Sequence, residues 1–427
     1  MPKATRKAAG NGVFNKTTLK NGMRVISEKL PSVRSVSIGV WVDVGSRYEK
    51  PEENGLSHFI EHMVFKGTRK RNARQVGASL ESLGGSLNAF TTREVTCYYA
   101  RILDENLVDA VDVLSDIVCN ATFSPTNIAR EKTVIVEEIK EANDTPSDKI
   151  HDEFSKSYWG RHPLGQPIMG SRKNIMGMPR ARLLNYVNRQ YRTGSVVIAA
   201  AGSLSHRKLI RLAQEKFNLP EGLGESSPPA VRNGSSRLHV EKTGGFQTHL
   251  CVGFPGLSFS DNDRMIAAVL GSHLGTGMSS VLFQRIREER GLAYSVYTFH
   301  DHYRDAGVFG AYLGTDKKSV RHAFDLMMRE FEIMKKRAIP AARLHQVKTL
   351  IKGNLSLAME STSSHMNRIA RQELMMGDFM DNKKIMNLID RVTAAEVRDL
   401  ARRMLDFSQM TTTVLGPVDQ KLFKDVG

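Results

Sequence analysis

Between residues 17 and 46 the chain alternates apolar and polar positions twice, in TTLKNGMRVISEKL and in SVRSVSIGVWVDVGS. A period of two predicts half-buried strands, and Asn21-Gly22 inside the first run predicts a hairpin. From about Leu56 the apolar spacing lengthens to three and four residues, which predicts a helix there, another in ARQVGASLESLG and a third in DENLVDAVDVLSDIVCN. SLNAFTTREVTCYYARI, between the last two, reads as a pair of strands or one long strand. A further helix is predicted over REKTVIVEEIKEANDTPSD, ended by Pro146.

The pattern then repeats. THLCVGFPG is strand-like, NDRMIAAVLGSHLG helical, LAYSVYTFH and AGVFGAYLGT strand-like, and SVRHAFDLMMREFEIMKK helical. Gly, Ser and Pro concentrate in residues 221–246, EGLGESSPPAVRNGSSRLHVEKTGGF, which marks a linker. At 427 residues the chain exceeds what one core usually supports. The expectation is an α+β fold of two similar sheet-plus-helices domains related by duplication, 14–220 and 247–427, joined by 221–246.

Composition narrows the classes. A hydrophobic fraction of 41% with 25% charged residues is that of a folded globular chain. The net charge of +16 favours anionic partners, yet the basic residues are scattered apart from short clusters such as Arg69-Lys70-Arg71, Lys335-Lys336-Arg337 and Arg402-Arg403. No aromatic-interleaved basic motif accompanies them, so no nucleic-acid partner is expected. The three cysteines, Cys97, Cys119 and Cys251, are widely spaced and suggest neither a disulfide framework nor a Cys-rich zinc site. No uncharged apolar run approaches the ~18 residues of a membrane span, so none is expected and the location is read as cytoplasmic. The basic leader MPKATRKAAGNG leaves the mitochondrial matrix as the alternative.

Chemistry concentrates in HFIEHMVFKGT, residues 58–68. Positions four apart share a helix face, so His58 and His62 can offer imidazole nitrogens to one ion, with Glu61 beside them. Asn54 or Ser57 can start such a helix and Gly67 can end it. His-x-x-Glu-His is an order found in catalytic zinc sites, and such sites take three protein ligands, so a third must lie elsewhere. Two histidines satisfied by hydrogen bonds would need none. The helix after Arg130 offers candidates: Glu131 and Glu138, two turns apart on one face, with Glu137 and Glu141 as alternatives. GTGM, with Gly275 and Gly277, is a helix end or hinge rather than a phosphate loop.

Together, HFIEHMVFKGT, LGGSLNAFTTREVTCYYA and EKTVIVEE resemble the pitrilysin/insulinase family of zinc peptidases, the inverzincins. The chain is especially similar to the branch containing mitochondrial processing peptidase beta subunits and their bacterial relatives, and the resemblance runs from about Phe14 to about Pro417. The resemblance implies Zn2+ held by His58, His62 and Glu138, with Glu131 as a supporting acidic residue and Glu61 as general base. It also implies that Asn88 and Ala89 bind an extended peptide along a strand edge, and that Arg287 and Tyr294, from FQRIREERGLAYSVY, orient the substrate carbonyl and stabilise the oxyanion. The implied activity is metalloendopeptidase cleavage of extended or presequence-like peptides in a cleft enclosed by both halves. A homodimer, or a heterodimer with a related chain, is the implied assembly. The rival readings are a non-catalytic structural subunit of the same family and an anion- or nucleic-acid-binding protein.

Overall fold

The structure, a computed structural model, describes residues 3–9, 12–224, 231 and 237–426. Two compact units emerge, each assembled from three stretches of chain. The first comprises Met1–Lys140, Gln166–Pro229 and Leu357–Lys383; the second comprises Glu141–Gly165, Ala230–Ser356 and Lys384–Gly427.

In the first unit, strands β1 (Lys3–Ala9), β2 (Gly12–Thr18), β3 (Arg24–Lys29), β4 (Ser35–Val42), β5 (Ser86–Thr91), β6 (Thr96–Leu103) and β7 (Val196–Gly202) form one sheet in the order β1-β2-β3-β7-β4-β6-β5. Of its pairs only β3 with β7 is parallel. Central β4 is buried on both faces, which suits its near-continuous apolar run. Val36, Ile38 and Val40 face a core closed by helices α1 (Leu56–Val64), α2 (Ala73–Glu81), α3 (Leu107–Asn120) and α4 (Pro125–Asp144). Trp41, with Cys97 and Val197 of neighbouring strands, faces the opposite layer, where Met366, Ile369 and Ala370 of the helix Thr362–Met376 pack. Gly39 allows that approach, since a Cβ there would meet Trp41 Nε1 at 2.8 Å and Met366 Sδ at 3.1 Å. Buried Glu28 anchors the helix by accepting from Arg368 Nη2 at 2.8 Å, with His365 Nδ1 at 2.9 Å.

The second unit holds β8 (Arg237–Lys242), β9 (Gln247–Pro255), β10 (Ser295–His302), β11 (Gly307–Asp316) and β12 (Thr411–Gly416), ordered β10-β11-β9-β12-β8. Helices Arg264–Gly275, Val320–Lys336 and Ala394–Met404 supply Leu270, Phe331 and Leu400 to the core on one face. The helix Pro146–Trp159 covers the other, with Ile150, Phe154 and Tyr158 against Cys251 and Tyr312. The run β8-β12-β9-β11-β10 has the order and the senses of β3-β7-β4-β6-β5, with a single parallel pair, β8 with β12, matching β3 with β7. This shared connectivity is the topological counterpart of the repeated sequence pattern.

Several local expectations are refined. SLNAFTTREVTCYYARI forms two strands, paired antiparallel from Ser86↔Arg101 to Thr91↔Thr96. Pro146 does not end the preceding helix, which stops at Asp144; it begins the next one, where its missing N–H has no cost. Residues 225–230 and 232–236 of the expected linker lie outside the described residues, and Arg237–Lys242 at its far end is strand β8. The contiguous boundaries 14–220 and 247–427 do not describe the exchange of helices Pro146–Trp159 and Thr362–Met376. Each belongs to the compact unit whose sheet it covers, a tertiary choice that local periodicity does not encode.

Candidate metal centre

Helix α1 buries Leu56, Phe59, Ile60, Met63 and Val64. This three-and-four spacing leaves His58, Glu61 and His62 together on the half-buried flank. Neither Asn54 nor Ser57 caps the helix. The cap is Gly55, in the left-handed region at φ 99°, and the first backbone N–H groups are taken by the side chain of Glu49 instead. Asn54 Nδ2 donates to the same carboxylate, and the Ser57 hydroxyl pairs with Tyr186 OH at 3.0 Å. The helix ends at Val64, three residues before Gly67.

The imidazoles of His58 and His62 stand 4.7 Å apart, centroid to centroid. Their Nε2 atoms lie 3.9 and 3.4 Å from one oxygen, Glu138 Oε2 of α4. One turn pair earlier on α4, buried Glu131 places Oε2 3.2 Å from His62 Nδ1 and pairs Oε1 with Lys66 Nζ at 3.0 Å. Glu137 is exposed and bound to Lys140 at 2.6 Å, and Glu141 is exposed on the following turn. Of the four candidate glutamates, Glu131 meets His62 alone and Glu138 meets both histidines.

These residues suit a zinc ion. One donor atom from each of His58, His62 and Glu138 lies within 4.8 Å of the other two. His58 Nδ1 is buried and has no hydrogen-bond partner among the described residues. Burial, aided by the neighbouring His62, pushes the His58 pKa down to about 4, so its ring is neutral and available for ligation at ordinary pH. Two imidazoles and a carboxylate, carried on helices, are a zinc-type donor set. A second cluster among the described residues, Glu153, His239 and Glu241, is weaker, because Lys149 pairs with Glu241 at 2.7 Å and Lys156 with Glu153 at 3.4 Å.

Glu61 accepts a hydrogen bond from Thr91 Oγ1 at 2.5 Å. Burial raises its pKa, and the Thr91 bond opposes that shift. Thr91 closes β5, the edge strand of its sheet, which also carries Asn88 and Ala89. Ala89 N–H is taken by its neighbour's Asn88 Oδ1 at 2.8 Å. Thr91 and Glu49 escaped the sequence reading: neither bond has a local signature, since each needs α1 to lie beside a segment folded elsewhere. Arg287 and Tyr294 belong to the second unit. Arg287 is exposed on a turn of π-helix, Phe283–Glu288, with its guanidinium 4.8 Å from the Phe283 ring centre. Tyr294 is 67% exposed, unusual for so large a ring, and its N–H bonds Gly314 O at the start of the β10–β11 ladder.

Comparison with known proteins follows the same residues. A family model described as insulinase (peptidase family M16) matches residues 24–172, and one described as peptidase M16 inactive domain matches 177–351. The chain is 38% identical over 392 residues to an uncharacterized zinc protease, YmxG, of Bacillus subtilis, covering 92% of this chain and 96% of that protein. It is 35% identical over 420 residues to an uncharacterized zinc protease of Streptomyces coelicolor, with 96% and 91% covered. Among solved structures, a protease from Helicobacter pylori shares the fold at a TM-score of 0.88 and 21% identity, covering 97% of this chain and 100% of that one. A peptidase M16 inactive domain from Pseudomonas fluorescens does so at 0.89 and 19%, covering 95% and 98%.

Proposed function

The chain belongs to the insulinase family, peptidase family M16, and from that premise we propose that it is a zinc-dependent endopeptidase acting on extended, presequence-like peptides. The observation that carries this reading is the meeting of His58 Nε2 and His62 Nε2 at Glu138 Oε2, with Glu61 on the same helix but bound to Thr91.

His58, His62 and Glu138 would hold the metal. Zinc, when bound, supplies Lewis acidity that brings the pKa of water toward ~7 and polarises the scissile carbonyl. Glu61 takes a proton from the attacking water and returns it to the leaving amine, a role typically worth ~10²–10⁴-fold. Its raised pKa helps, because a base nearer neutrality can also act as the acid in the second step. Glu131 accepts from His62 Nδ1 and so keeps that ring's Nε2 lone pair directed at the ligand position. The outer edge of β5, at Asn88 and Ala89, offers main-chain groups to an extended substrate. To Arg287 and Tyr294 we assign orientation of the carbonyl and stabilisation of the oxyanion, on the strength of the motif.

A homodimer, or a heterodimer with a related chain, and a cytoplasmic location extend the same proposal. Among the described residues no helix is long and apolar enough to cross a membrane.

The test separates base from ligand. Glu61→Gln should retain one zinc and lose peptide cleavage, whereas His58→Ala should lose both, measured by metal analysis and hydrolysis of an extended fluorogenic peptide with and without chelator. Near-normal turnover by Glu61→Gln would remove Glu61 from the mechanism.

A further inference from the structure

We propose that Glu49 is a positioning residue for the metal centre: its buried carboxylate ties the first turn of α1 to the β5–β6 turn and so fixes His58, Glu61 and His62 relative to the strand edge. The inference rests on the zinc-peptidase reading above. Glu49 is 2% exposed. Its Oε2 accepts from Gly55 N at 2.7 Å and from Asn54 Nδ2 at 3.2 Å, and its Oε1 from Ser57 N at 2.6 Å. Backbone N–H groups at a helix start have no partner within the helix, and they point the positive end of its dipole outward. A carboxylate there makes charge-assisted bonds to both, and α1 has no side-chain cap of its own at Gly55.

The other end of the link is equally firm. Glu49 closes the short turn Ser46–Tyr48, whose Ser46 N and Arg47 N bond Thr92 O at 3.2 Å and Arg93 O at 2.8 Å. Fully buried Arg47 pairs Nη1 with Glu94 Oε1 at 2.6 Å. Thr92 through Glu94 form the turn that follows β5 directly, and Thr91, the last residue of β5, holds Glu61. Helix and strand edge are therefore joined twice, through Thr91 at the base and through Glu49 at the helix start. Ser57, whose N–H Glu49 holds, precedes His58. Release of the first turn would move His58 more than His62, one turn further on, and would open the spacing on which a shared ion depends.

The two-oxygen arrangement makes a specific demand. An amide at position 49 would set its NH2 against one of the two backbone N–H groups, so Glu49→Gln is not a neutral replacement. Wild type, Glu49→Gln and Glu49→Asp are compared with Glu28→Gln, a buried carboxylate that serves the helix Thr362–Met376 in the same unit. The readouts are visible absorption of the Co2+-loaded protein, Zn2+ affinity by chelator competition, kcat and KM on the extended peptide, and the melting midpoint of metal-free protein. We expect Glu49→Gln to shift the cobalt bands, weaken Zn2+ binding roughly tenfold or more and lower kcat at least about tenfold with KM nearly constant. Glu49→Asp, too short to reach both N–H groups, should fall between it and wild type, and it serves as the test should Glu49→Gln not fold. Glu28→Gln should lower the midpoint alone. Glu49 variants that melt earlier but keep the wild-type cobalt spectrum, zinc affinity and kcat would overturn the proposal. If wild type itself neither binds zinc nor cleaves, the peptidase reading fails; if wild type does both and the Glu49 variants match it, only the positioning role fails.

Discussion

Replacing Thr91 with valine removes one hydroxyl from beside the proposed base while keeping the β-branched shape that suits the end of β5. The bond lost, Thr91 Oγ1 to Glu61 Oε2 at 2.5 Å, is to a charged group, the class worth about 1.5–3 kcal/mol. Two effects then compete. Without the hydroxyl the Glu61 pKa rises further, because that bond opposes the upward push of burial, and a stronger base gains at most a few-fold in rate. Against this, the carboxylate loses the contact that fixes its rotamer, and misplacement of a catalytic group by about 1 Å costs ~10²-fold. Orientation outweighs basicity, so kcat should fall roughly 10- to 50-fold. KM and zinc content should hold, because Glu61 is not counted among the ligands. Thr91→Ser, which restores the hydroxyl, should recover most of the rate. Steady-state hydrolysis of the extended peptide with metal analysis of the same samples makes the comparison. A valine variant within about two-fold of wild type, or a serine variant as impaired as valine, would refute the reasoning, since the bond would then not set the base's position.

Glu131→Ala should weaken zinc binding by roughly 10- to 100-fold, since Glu131 holds His62 Nδ1 at 3.2 Å, and chelator competition reads the change directly; unaltered affinity would mean that His62 is held by packing alone. His206 is bonded on both nitrogens, to Thr17 Oγ1 at 3.0 Å and Ser27 Oγ at 2.9 Å, and burial pushes its pKa down to about 4. Between about pH 6.5 and 4 the unfolded chain binds a proton here that the folded chain does not, so stability is complete above that window and declines as pH falls through it. Because the ring is only partly buried, the loss should be on the order of 1–2 kcal/mol. Urea midpoints at pH 7.5 and 4.5 should therefore diverge more in wild type than in His206→Gln, and equal divergence would exclude His206 as a source.

Elements with a strong local period were legible: the β2–β3 hairpin around Asn21-Gly22, α1 with its apolar stripe, and α3 with buried Val111, Leu114 and Val118. What escaped is tertiary. Met366, Ile369 and Leu374 recur at helical spacing, but spacing does not say which sheet the helix Thr362–Met376 will cover. That choice depends on Gly39 leaving room and on Arg368 meeting the buried charge of Glu28, features about 330 residues away along the chain. At the metal centre, pattern alone left four glutamates open. Helix phase separates them in the structure: Glu131 and Glu138, seven apart, face α1, while Glu137, one position off, turns outward to Lys140. Thr91 and Glu49 lay beyond sequence reasoning because a threonine in a strand and a glutamate before a turn have many ordinary roles, and their partners are set by where α1 docks.

The two histidines are not equivalent, and the difference explains why α4 contributes two carboxylates. His62 is engaged on both ring nitrogens, Glu131 at Nδ1 and Glu138 at Nε2. For Glu131 to accept, the proton must sit on Nδ1, which leaves the Nε2 lone pair for the proposed ion. The seven-residue spacing on α4 sets the carboxylates two turns apart, enough to reach opposite edges of one imidazole. Lys66, four residues past His62 and beyond the end of α1, pairs with the second oxygen of Glu131 at 3.0 Å. Among the described residues His58 has no such partner at its buried Nδ1, so its ring is directed by packing and by the backbone of the first turn. The start of α1 is thus where, among the described residues, the proposed ligands have fewest side-chain hydrogen bonds, and it is there that the fold places a buried carboxylate across two backbone N–H groups.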